Sequence, residues 1–65
     1  MRIQLNGESR EVTAATLAAL LCELGYDDGA VATAINQNFV RRRDRCAAGL
    51  AEGDAVEIVV PRQGG

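Results

Sequence analysis

Thr16-Leu17-Ala18-Ala19-Leu20-Leu21-Cys22-Glu23-Leu24-Gly25 is the stretch around which the rest of the chain is organised. Leu17, Leu20, Leu21 and Leu24 recur at i, i+3, i+4 and i+7, which places them on one stripe of an α-helix. Thr13 or Thr16 supplies a cap before the stripe. Gly25 follows it with the left-handed backbone that ends many helices. Cys22 falls off the stripe beside Glu23 and is expected to be partly exposed. A helix with a single apolar stripe must lie on something, and the flanking sequence on both sides reads as strand.

On the amino-terminal side, Met1 to Leu5 alternates, with Ile3 and Leu5 on one face. Asn6-Gly7 suits a tight hairpin because both residues tolerate positive φ. Glu8 to Val12 then returns. A two-residue loop sets Met1 opposite Val12, which is sensible, and Arg10 opposite Ile3, which is less so. The register is therefore open by one residue. On the carboxy-terminal side, Tyr26-Asp27-Asp28-Gly29 reads as a loop. Val31 to Ile35 is a compact strand among Ala30, Ala32 and Ala34, interrupted by Asn36-Gln37-Asn38. Phe39-Val40 starts a short strand. After a Glu52-Gly53-Asp54 turn, Ala55 to Val60 forms the last strand, with Val56, Ile58 and Val60 on one face and Glu57 and Val59 on the other. Pro61 ends it.

The order strand, strand, helix, strand, short strand, strand is an α+β arrangement. One main helix crosses one face of a mixed four- to five-stranded sheet, and the last strand lies beside the first. That is a β-grasp roll. Residues 1–60 form the domain. Residues 61–65, Pro61-Arg62-Gln63-Gly64-Gly65, have no apolar anchor beyond the proline and are expected to form a mobile tail.

With 65 residues the chain has room for one small core. A pocket of about 300 Å³ would consume much of it. It contains no histidine, and Ser9 has no base beside it, so a hydrolase or general acid–base enzyme is not expected. Cys22 and Cys46 have neither CxxC spacing nor a histidine partner, which argues against a metal site. In a reducing cytosol they read as two free thiols, and a sulfur relay through them is the minor reading. The apolar run Ala14 to Cys22 follows Glu8 and Glu11, unlike the basic start of a signal peptide, and it is too short to span a membrane. A cytoplasmic protein is expected, monomeric when free.

The net charge of −2 argues against a general polyanion binder. All seven basic residues are arginine, so the chain cannot build lysine-linked polymers of itself. The cluster Arg41-Arg42-Arg43-Asp44-Arg45 has two readings, a solvated turn and strand edge or a contact for an acidic partner. A nucleic-acid-binding module is the more remote one.

Gly64-Gly65 is the strongest functional signal. Two glycines let a tail thread a narrow tunnel, adopt backbone angles closed to other residues and present an unhindered carboxylate. A carboxylate is a poor electrophile. Joining it to AMP supplies a leaving group, after which a thiol or persulfide attacks the acyl carbon. Gln63 and Arg62 would accompany the tail into an activating partner, with a merely exposed arginine as the other reading of Arg62. Phe39 and Val59 either form an apolar docking patch on the helix-free sheet face or pack at the edge of the core.

Three stretches then resemble the ThiS family of sulfur carriers in thiamine thiazole biosynthesis: Met1-Arg2-Ile3-Gln4-Leu5-Asn6-Gly7; Ala32-Thr33-Ala34-Ile35-Asn36-Gln37-Asn38-Phe39-Val40; and Glu52-Gly53-Asp54 through Gly64-Gly65. The resemblance implies a ubiquitin-like β-grasp fold. It also implies that a ThiF-like adenylyltransferase uses ATP and magnesium to adenylate Gly65, and that a persulfide protein donates sulfur to give a thiocarboxylate. A ThiG-like thiazole synthase then receives that sulfur. The carrier itself would bind no cofactor and catalyse nothing. One departure is that Arg41 stands where the family often has proline. The small subunit of molybdopterin synthase and other ubiquitin-like carriers or protein modifiers share this tail chemistry. The short length and Ala34-Ile35-Asn36-Gln37 favour the thiazole carrier.

Overall fold

The computed structural model describes residues 1–61. Strands β1 (Arg2–Leu5) and β2 (Glu8–Glu11) form a hairpin, followed by helix α1 (Leu17–Leu24). A second hairpin pairs β3 (Ala32–Ile35) with β4 (Asn38–Val40). A 3₁₀ helix (Arg42–Ala47) and strand β5 (Ala55–Val59) complete the order. The five strands make one mixed sheet in the order β2-β1-β5-β3-β4. The first and last strands run parallel at its centre, with Leu5 beside Val56.

The expected helix cap resolves in favour of Thr16, whose hydroxyl oxygen accepts the Ala19 N–H at 3.1 Å. At the other end Gly25 adopts φ 80°, and two bonds close the helix: Gly25 N–H to Cys22 O, and Tyr26 N–H to Leu21 O. This is the Schellman pattern, and it needs a residue free to enter the left-handed region. The stripe is buried as its spacing requires. Leu17, Leu20 and Leu21 are at most 1% exposed and meet Ile3, Leu5, Val56 and Ile58 from the sheet. Each such leucine contributes about 2 kcal/mol of burial.

Thr13 has a different task. Its N–H and hydroxyl, together with the Ala14 N–H, all donate to the carboxylate of Glu23 at 2.8–3.2 Å. The connection between β2 and α1 is thereby tied to the last turn of the helix. The Thr13 hydroxyl bond, then the Thr13 backbone bond, hold the Glu23 carboxyl below its ordinary value of 4.5. The folded state thus binds this proton less readily than the unfolded chain does. Glu23 contributes fully at neutral pH, and the contribution is lost as pH falls below 4.5 through the lowered folded value. Glu23→Gln is expected to lower the melting temperature at pH 7 and to leave a smaller difference from the parent at pH 3. Thermal scans at the two pH values check this.

The β1–β2 hairpin takes the two-residue register, with Leu5 opposite Glu8 and Ile3 opposite Arg10. The apparent mismatch of Arg10 with Ile3 disappears because β2 is an edge strand that α1 does not cover, and all its residues are exposed. Only Val12, just beyond it, turns back into the core.

The arginine cluster departs from the reading of a solvated turn. Residues Arg42–Ala47 coil into the 3₁₀ helix, which drives Arg45 inward until it is 3% exposed. Its guanidinium donates from Nε to Thr33 Oγ1 at 3.0 Å, from one terminal nitrogen to Asp28 O at 2.7 Å and from the other to Val31 O at 2.8 Å. Thr33 in turn donates to Val40 O at 2.9 Å. One cation thus holds the loop after α1 against the second hairpin.

Candidate functional site

Strand β5 leads to the carboxy-terminal tail, and both neighbouring hairpins grip it through asparagine side chains. The first turn, Asn6-Gly7, has φ 50° and 86°, and the second, Asn36-Gln37, has φ 51° and 71°. Both are two-residue turns of the kind that match strand twist. The Asn6 N–H still donates to Val56 O at 2.9 Å, and its side chain extends the pairing two residues further along β5. Asn6 Oδ1 accepts the Ile58 N–H at 2.9 Å, and its Nδ2 donates to Ile58 O at 3.1 Å. On the other flank Asn36 Oδ1 accepts the Ala55 N–H at 2.9 Å, while its Nδ2 donates to Asp54 Oδ1 at 3.1 Å. Strand β5 is paired as far as Val59, which lies opposite Ala32. Its register, and with it the point from which the tail departs, is fixed on both sides. The sequence marks Asn6 as a turn former and Asn36 only as part of an interruption after β3; nothing in their spacing signals the reach across to β5. The expected tail residues Arg62, Gln63, Gly64 and Gly65 lie outside the described residues.

Phe39 and Val59 both lie on the sheet face away from α1. They are 70% and 56% exposed. Across the sheet, Phe39 pairs with Ala34, Ala34 with Glu57, and Ala32 with Val59. The two alanines form the floor of an open depression of about 200 Å³, walled by Phe39 on one side and by Glu57 and Val59 on the other. Because directly paired residues point to the same face, the position of Glu57 follows from the alternation of β5. The reading of the sequence had placed Glu57 on this face but had not joined it to a site.

The remaining candidates do not assemble. Arg41 pairs with Asp44 at 2.8 Å and Arg42 with Asp28 at 3.2 Å, while Arg45 is buried. The cluster is therefore dispersed by its own folding, with two charges locally paired and a third withdrawn from the surface. Cys22 and Cys46 are free and exposed. Among the described residues no group of histidine, cysteine, aspartate or glutamate could hold a metal ion, and no helix is long and apolar enough to cross a membrane.

Parallel first and last strands at the centre of a mixed sheet and one helix across it define a ubiquitin-like, β-grasp domain. Solved structures with this arrangement include the thiamine biosynthesis protein (ThiS) of Geobacter metallireducens. Its crystal structure matches with a TM-score of 0.86 at 28% identity, covering 100% of both chains. Its solution structure matches with a TM-score of 0.81 at 28% identity, covering 100% of this chain and 88% of the other. The ThiS family model matches residues 3–65, and the chain belongs to the ThiS family. Over 66 residues it is also 38% identical to a thiazole synthase of Paramagnetospirillum magneticum, covering 100% of this chain. The chain spans 20% of the length of that curated relative.

Proposed function

We propose that this protein carries sulfur as a thiocarboxylate on Gly65 and delivers it to the formation of the thiazole ring of thiamine. The observation that carries the reading is the extent of the family match, which runs through the last four residues to Gly65. The domain supports it as a handle. A small closed core leaves little room for catalysis, and β5 projects the tail from a register held on both flanks.

The chemistry begins with a ThiF-like adenylyltransferase, which binds ATP and magnesium. The Gly65 carboxylate attacks the α-phosphorus, pyrophosphate leaves, and an acyl adenylate forms. The terminal sulfur of a persulfide protein then attacks the acyl carbon and displaces AMP. A thiol cleaves the resulting acyl disulfide, which leaves the thiocarboxylate on Gly65. A thiazole synthase is the acceptor. That a segment similar to this whole chain occurs within a thiazole synthase supports the pairing.

Intact-mass analysis after incubation with the activating enzyme, ATP, a persulfide donor and thiol tests the proposal. Replacing one carboxyl oxygen by sulfur adds about 16 Da. Absence of that gain with enzymes shown to be active on another carrier refutes it.

A further inference from the structure

We infer that the helix-free face is a socket for a basic side chain, preferentially arginine, presented among apolar residues by the adenylyltransferase that activates the tail. This rests on the carrier reading above for the identity of the partner. The inference concerns the chemistry of its contact surface.

Three observations converge on the socket. First, Phe39, Ala34 and Glu57 form one row across strands β4, β3 and β5. Adjacent strands lie about 4.8 Å apart, so an aromatic ring and a carboxylate rise roughly 10 Å from each other over an alanine floor. A long side chain laid across Ala34 buries its aliphatic stem there, brings its cationic head to Glu57 and places its flank on the Phe39 ring. Secondly, Glu57 is exposed and has no ion pair or hydrogen bond among the described residues. By contrast, Glu11, Glu23, Asp28, Asp44 and Glu52 are each engaged. A formal negative charge standing alone beside two exposed large apolar residues, Phe39 and Val59, is complementary to a cation carried on an apolar surface. Thirdly, Glu57 and Val59 belong to the strand that continues into the tail. A partner seated on this face therefore receives the tail from a defined direction.

The same charge argues against a second copy of the chain. A symmetric pairing of two such faces brings the Glu57 carboxylates together, and like charges in an interface are costly.

The test is the affinity of the adenylyltransferase for the full-length carrier, measured by calorimetry so that the result does not depend on conversion of Gly65. Glu57→Gln is expected to weaken binding about tenfold and to flatten its dependence on salt. Phe39→Ala is expected to weaken binding by a similar factor without changing the salt dependence. Glu8→Gln, an exposed carboxylate on edge strand β2, is expected to change neither. Reversal of one arginine on the enzyme to glutamate should be rescued by Glu57→Arg. Unchanged affinity and salt dependence in Glu57→Gln overturn the inference even if Gly65 acquires sulfur normally. Conversely, a carrier that binds in this manner but never gains mass upholds the socket and refutes the proposed chemistry. If Arg62→Gln reproduces the effect of Glu57→Gln and the double variant adds nothing, the occupant is the chain's own arginine and the inference fails. It fails equally if sedimentation shows a dimer that Phe39→Ala dissolves.

Discussion

Arg45→Ala lowers the free energy of unfolding by about 3 kcal/mol. The substitution removes donors from three acceptors at once, namely Thr33 Oγ1, Asp28 O and Val31 O. Thr33 Oγ1 is buried and the two carbonyls are partly so, and an acceptor withdrawn from water costs more when it loses its partner than it gained in forming the bond. It also leaves a gap where a side chain 3% exposed had filled the space between the 3₁₀ helix and strand β3. A domain of this size has only a few kcal/mol in reserve, so the variant is expected to be substantially unfolded at 37 °C. Urea titration should show the midpoint falling with the slope unchanged. Arg45→Lys recovers little, because one ammonium on a flexible stem does not reproduce a planar fork aimed at three separate oxygens. Thr33→Val removes the Nε acceptor and the bond to Val40 O, and is expected to cost about 1–2 kcal/mol. If Arg45 were an exposed partner contact, Arg45→Ala would leave the urea midpoint in place and weaken binding alone.

That residue also marks where the sequence stops being legible. The amphipathic stripe, the Asn6-Gly7 turn and the alternation of β5 each follow a short-range rule, so the helix, the strands and the faces of β5 could be read directly. The 3₁₀ helix follows no strong periodic signal. Five consecutive positions rich in arginine look solvated, because arginine is rarely buried without a carboxylate. Here carbonyl oxygens and one hydroxyl meet the guanidinium instead, and they are brought together only by the packed fold. The hairpin register shows the same limit from the other side. Arg10 opposite Ile3 reads as unfavourable because it sets a charge beside a core residue, whereas the helix passes over β1 and β5 and leaves β2 at the edge. Asn6 was legible as a turn residue from its conformational tolerance, and Asn36 only as the start of a break between two strands. Their second role, satisfying the backbone of β5, depends on contacts 52 and 19 residues away in the chain. The candidate site divides along this line. Glu57 and Val59 were placed together by the alternation of β5 and Phe39 was left between two readings, and the alanine floor that joins them required the pairing of three strands. The glycines of the tail were legible for a different reason: their significance is chemical and does not depend on a neighbour in the fold.

In a protein whose last residue is Gly65, deleting that glycine or adding one alanine after it abolishes conversion to the thiocarboxylate. The reason is distance. Strand β5 is held to Val59 by Ala32 on one side, and Asn6 fixes Ile58 on the other, so a partner seated on the domain meets a tail of set origin. Residues 60–65 follow, and six residues reach at most about 20 Å. Deleting or adding one residue shifts the terminal carboxylate by about 3.4 Å relative to ATP bound on the partner. A misplacement of only about 1 Å can cost a hundredfold in an oriented reaction, so a shift of a whole residue removes measurable adenylation. Gly64→Val keeps the length and tests width separately. A branched side chain next to the reacting carboxyl is expected to slow conversion by about a hundredfold while leaving affinity for the adenylyltransferase within about twofold, because the docking face is untouched. Intact mass as a function of time gives the conversion rate, and calorimetry gives the affinity. A Gly64→Val protein that converts at the parent rate would show that the tail needs reach but no narrowness, and a protein lacking Gly65 that still gains sulfur would place the reacting carboxyl elsewhere in the chain.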